Sequence, residues 1–98
     1  MLPPRTIAFD ERIAERLAER RLVEWRQLGY DRWRAMLDDR DSRRVDGPDG
    51  RAYTVVSYAL DDGDGRIRLV VAVDDGGRSA YSPLTRDEIM RPDGTFVD

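Results

Sequence analysis

Apolar positions in the first third of the chain recur with a helical spacing. Ile13, Ala14, Leu17, Ala18, Leu22, Trp25 and Leu28 fall within about half the circumference at roughly 100° per residue, which predicts an amphipathic helix over residues 10–28. Asp10 is placed to cap its start, with Glu11 favourable in the first turn. Gly29 supplies a residue able to close it in the left-handed conformation. Asp31 then opens a shorter second helix through Trp33, Met36 and Leu37; the alternative is one long curved helix, because an isolated glycine costs only about 1 kcal/mol. Arg21 interrupts the apolar stripe. Its stem is expected to lie on Trp25 with the charged head reaching water; the competing reading is a carboxylate or other anion held at the seam between helix and sheet.

From Arg43 onward the period changes from helical to alternating. Asp-Gly occurs six times, at residues 46–47, 49–50, 62–63, 64–65, 75–76 and 93–94. Asp-Gly accepts positive φ, and between alternating segments it is a strong hairpin signal. These pairs separate three extended runs, Ala52 to Leu60, Arg66 to Val73 and Arg78 to Ser82, with a short stretch at Arg43–Val45 able to pair ahead of them. Thr85-Arg86-Asp87-Glu88 has the Thr-x-x-Glu form of a capping box and predicts a helical turn through Ile89 and Met90. Pro92-Asp93-Gly94 should end that turn, with Thr95-Phe96-Val97 tucking back or adding an edge strand. The expected fold is therefore a single α+β domain over residues 1–98. An N-terminal helical segment packs on a three- to four-stranded antiparallel meander, and a short helical turn follows near the C-terminus.

The meander has two faces, and the sequence does not fully divide them. Ile67, Leu69, Val71 and Val73 should face the helices. A five-residue loop at Asp61–Gly65 sets Tyr53, Val55, Ser57 and Ala59 beside them, whereas a four-residue loop sets Val56, Tyr58 and Leu60 there. One slip reverses every side chain. In the first register the outer face carries Val56, Tyr58, Leu60, Val70 and Ala72, edged by Arg66 and Arg68. A one-sided helical layer leaves that face open, and contiguous apolar surface on a small domain marks an interaction surface. The candidate site is thus Val56, Tyr58, Leu60, Arg66, Arg68 and Val70, engaging a second copy as a homodimer or another protein partner. The competing reading is that the chain termini fold over and cover that face.

Composition narrows the chemistry. The 98 residues hold 17 basic and 20 acidic side chains, net −3, and every basic residue is arginine. Histidine, cysteine and lysine are absent. That removes the commonest zinc sites, thiol nucleophiles, the serine–histidine relay, Schiff-base chemistry and the phosphate-loop lysine. The acidic turns Asp61–Gly65 and Asp74–Gly77 lack a glutamate at the twelfth position of a calcium loop, and their aspartates are explained by turn chemistry. No catalytic residue, metal ligand or cofactor site is expected. A metal-assisted or carboxylate-based enzyme is the third reading. Residues 1–44 carry net +2 and the remainder net −5, with charges interleaved rather than massed. Weak nucleic-acid binding through Tyr58, Arg66 and Arg68 is the alternative function, below protein contact because phosphate attraction needs concentrated positive charge. The longest apolar run, Leu69 to Val73, is too short to span a bilayer, and the N-terminal residues lack a signal-peptide core. A cytoplasmic protein that does not enter membranes is expected.

The run Ile67 to Gly77, with its Asp74-Asp75-Gly76-Gly77 turn, is followed by Pro83-Leu84-Thr85 and by Pro92-Asp93-Gly94-Thr95-Phe96-Val97. In these features the last third of the chain resembles a group of small bacterial proteins to which no activity is assigned. Because the shared residues belong to turns and strands, the resemblance implies a self-contained bacterial fold and carries over no active site.

Overall fold

A computed structural model describes residues 10–77 and 83–98. Helix α1 spans Glu11–Arg26 and starts where expected, with the Asp10 carboxylate accepting from the Arg12 and Ile13 amides. It stops two residues before the predicted end, and Leu28, placed on the core stripe by periodicity, is left 38% exposed beyond the last turn. Gly29 separates two helices but does not use the left-handed region. It caps α2 (Tyr30–Ala35) with φ −76° and ψ 174°, which puts Asp31 in the first turn rather than at the cap. A 3-10 turn, Met36–Asp38, leads into the sheet.

The sheet is a four-stranded antiparallel meander in the order β1 (Arg40–Asp46), β2 (Ala52–Asp61), β3 (Ile67–Asp74), β4 (Leu84–Met90). Strand β1 extends well beyond the Arg43–Val45 stretch. Asp61 pairs with Ile67, so five residues, 62–66, form the β2–β3 loop. The loop is displaced by one residue from the expected position, and the pairing by two. Because two is the period of a strand, the facing is preserved: Tyr53, Val55, Ser57 and Ala59 lie beside Ile67, Leu69, Val71 and Val73 in the core.

Residues 85–90 correct the sequence reading. Thr85-x-x-Glu88 does not cap a helical turn, because Leu84–Met90 pairs along β3 from Val73↔Leu84 to Ile67↔Met90. A strand as apolar as β3 stabilises an added neighbour along its whole length, which outweighs one local cap. The expected run at Arg78–Ser82 lies outside the described residues. Thr95–Val97 does tuck back: Phe96 bridges Met90, and the Val97 amide donates to the Ile89 carbonyl.

The inner face is closed by the helices and by charges at its margins. Trp25, Trp33, Leu22, Leu17 and Met36 pack on the odd-numbered residues of β2 and β3. Both tryptophan N–H groups are paired within this layer. Trp25 Nε1 donates to Ser57 Oγ at 2.9 Å, and Trp33 Nε1 donates to the Trp25 carbonyl at 2.8 Å. On the β4 flank, Arg26 forms a forked contact with Glu88 (2.8 and 2.7 Å), which raises the guanidinium's pKa further, and Arg86 pairs with Glu15. On the β1 flank lies a four-membered ring of ion pairs. Arg21 meets Glu24 at 3.2 Å and Asp41 at 3.0 Å, while Arg43 meets Asp41 at 3.1 Å and Glu24 at 3.8 Å. Arg21 therefore does not reach water as expected. It is only 7% exposed, stacked 4.7 Å above the Trp25 ring, and the carboxylate of the alternative reading is Asp41, twenty residues away.

Candidate interaction face

Alternation puts the even-numbered residues of β2 and β3 on the side away from the helices, and the cross-strand pairings arrange them in rows. One row runs Arg40, Tyr58, Val70, Asp87 from β1 to β4. The next runs Ser42, Val56, Ala72, Thr85, and on the other side Leu60, Arg68 and Ile89 lie together. Five of the six predicted residues (Val56, Tyr58, Leu60, Arg68 and Val70) thus share one surface. Arg66 instead closes the β2–β3 turn: its carbonyl accepts from the Asp62 amide, and its guanidinium bonds the Asp62 carbonyl at 3.2 Å.

The face is apolar at its centre and charged at its rim, but it is not bare. Leu60 is 48% exposed and Tyr58 half-buried, whereas Val56, Val70 and Ala72 keep only 9%, 7% and 7% of their accessible area. These three stand outside the cluster that the helices cover. Cross-strand neighbours lie about 5 Å away: Val70 sits between Tyr58 and Asp87, and Ala72 between Val56 and Thr85. The Arg40 guanidinium lies 5.6 Å from the Tyr58 ring centroid. Arg68 bridges Asp62, at 3.1 Å from Nη2, and Asp87; the hydrogen bond to Asp87, then that to Asp62, raises its pKa. Arg40 has no carboxylate partner among the described residues and is exposed.

Sequence reasoning missed Arg40 and Asp87. Arg40 lay before the expected start of β1, and Asp87 was assigned to a helical turn. Recognising β4 from the alternation Thr85, Asp87, Ile89 would have placed Asp87 on this face.

A second concavity lies elsewhere, between α1 and the β1–β2 turn. Ile13, Leu17 and Pro48 line a recess of about 430 Å³ whose remaining walls carry Arg16 and Arg20 together with Asp46. Its charges oppose one another across an open cleft, so they do not converge on one ligand chemistry. Among the described residues no three acidic side chains gather as a metal site, and no helix is long and apolar enough to cross a membrane. The chain matches no protein-family model, no curated protein and no solved structure.

Proposed function

We propose that this protein acts without catalysis, as a small binding module that self-associates or docks a protein partner through the outer face of its sheet. The observation that carries the reading is the asymmetry of the two faces. The inner one is closed by helices and flanked by ion pairs, while the outer one gathers Tyr58, Leu60 and Val70 under no helix of the described residues. Surfaces of this kind, apolar in the centre and charged at the rim, have the anatomy of protein interfaces. The bacterial setting that accompanies the reading rests on the resemblance of the C-terminal third, and the cytoplasmic one on the shortness of the longest apolar run, Leu69 to Val73. Nucleic-acid binding has less support than protein contact, because Arg66 and Arg68 are tied to Asp62 and Asp87 and Arg40 covers one side of the Tyr58 ring.

The test is purification of the tagged protein from its native cell, with mass spectrometry of what accompanies it, repeated with Leu60→Glu. Leu60 is exposed enough that this change should alter stability by no more than about 0.5 kcal/mol. A protein recovered in near-stoichiometric amount with the natural sequence, and lost with Leu60→Glu, is the expected result. Nucleic acid or a small molecule in place of a protein would overturn the reading, as would a protein partner indifferent to the substitution.

A further inference from the structure

The two central rows of the outer face share a property. Read across the sheet, Arg40–Tyr58–Val70–Asp87 runs basic, aromatic, aliphatic, acidic. Turned end for end, it presents acid to base at both edges and apolar to apolar between. The adjacent row, Ser42–Val56–Ala72–Thr85, runs polar, apolar, apolar, polar and is likewise its own complement. Self-complementarity is what an isologous interface requires, since each patch must meet a copy of itself rotated by half a turn.

We propose that the occupant of this face is a second copy of the chain, related by a two-fold axis that runs parallel to the strands between β2 and β3. The proposal rests on the functional reading above and narrows it to one partner. The axis lays β1 of one protomer over β4 of the other and keeps the rows level. Tyr58 then meets the partner's Val70, and Val56 meets the partner's Ala72. Arg40 meets the partner's Asp87, and by symmetry the same contacts form a second time. Both charged groups have capacity for the contact. Arg40 is exposed and unpaired by any carboxylate among the described residues. Asp87 is 43% exposed and gives only Oδ2 to Arg68, leaving Oδ1 to accept. Strands related in this way remain nearly aligned, as in face-to-face packing of two sheets.

Size sets the expected strength. Four strands spaced about 4.8 Å apart, taken over three rows about 6.8 Å apart, present a patch of roughly 400 Å² per copy, or about 800 Å² for the pair, in the range of weak, transient association. Val56, Val70 and Ala72 are already largely shielded within one chain, so the apolar gain falls mainly to Tyr58 and Leu60. The dimer should therefore dissociate on dilution and depend on the paired charges for its specificity.

A charge exchange tests this geometry. The mass of the unaltered chain, followed by light scattering from about 1 µM to 1 mM, should rise from one chain toward two. Arg40→Asp alone sets acid against acid at both contacts, and Asp87→Arg alone sets base against base, so each variant by itself should remain a monomer. An equimolar mixture of the two variants restores both contacts and should recover the dimer. Thermal melts of each variant establish that the fold is kept; should Asp87→Arg not fold, Asp87→Asn replaces it, with a weakened dimer expected alone and a partial recovery in the mixture, where each mixed dimer keeps one Arg40–Asp87 contact. A monomer at every concentration would overturn the proposal, as would a dimer indifferent to both single substitutions or a mixture that stays monomeric. A constant monomer that still captures a different protein sensitive to Leu60→Glu would leave the binding-module reading standing and remove this one.

Discussion

Val70 and Val71 are neighbours on the same strand, of the same residue type, and nearly equally hidden from water, at 7% and 0% exposure. They are hidden by different means. Val71 lies beneath α1 and the tryptophans, in a layer where both indole N–H groups are hydrogen-bonded. Val70 stands outside that cluster, on the opposite face of the sheet between Tyr58 and Asp87. Accessible area alone therefore does not separate a core from a surface. What separates them is whether the covering group belongs to another packed element or to a neighbour free to move aside.

The largest effect expected on this contrast comes from truncating both valines. Val71→Ala should cost about 2–3 kcal/mol, as lost transfer energy plus an uncollapsed cavity, and Val70→Ala about 1 kcal/mol, because flexible neighbours can close over the gap. Chemical denaturation of the two variants measures the difference; equal losses would mean that the outer face is packed as firmly as the inner one. A step smaller is Gly65→Ala. Gly65 has φ +78°, an added Cβ would lie 2.9 Å from Pro92 Cγ, and its carbonyl accepts the Tyr30 hydroxyl. A loss of about 1–2 kcal/mol is expected from left-handed strain and the forced shift of Pro92. Gly76→Ala, at φ +84° with nothing within 4 Å of the new atom, should cost less and isolate the contact from the backbone strain.

A last effect, read only at alkaline pH, belongs to Tyr53, at the end of the inner face. Burial, reinforced by its hydrogen bond to Asp49 at 2.8 Å, pushes this phenol from 10.0 up to about 12. The unfolded chain then loses its proton first. The contribution to stability is complete below the unfolded value and disappears as pH rises from about 10 through about 12. Denaturation across that range should show falling stability in the natural sequence and a shallower fall in Tyr53→Phe. Parallel pH profiles would contradict the assignment.

These residues also show how far the sequence alone reaches. Facing in β2 was legible because alternation has a period of two, so an error of two residues in pairing left every side chain on its correct side. Strand β4 was not legible. Its inward positions include Arg86 and Glu88, which look wrong for a core face until Glu15 and Arg26 of α1 are brought against them. Local chemistry offered a capping box, and only the open edge of β3 outweighs it. Arg21 failed for the same reason. Its distance from Asp41 along the chain gave no periodic signal, so a ring of ion pairs read as an exposed cation. The gathering of apolar residues on the outer face was visible from spacing. Its rim of Arg40 and Asp87 required the outer strands to be in place.

The central claim, that the outer face of the sheet is the surface through which the protein makes contact, is tested most directly by methyl NMR of labelled valines over a dilution series. Signals from Val56 and Val70 should move with concentration while those of Val55, Val71 and Val73 stay fixed. Shifts confined to the inner set or to Val23 on α1, or no concentration dependence in any valine together with failure of any protein partner to move Val56 and Val70, would contradict it.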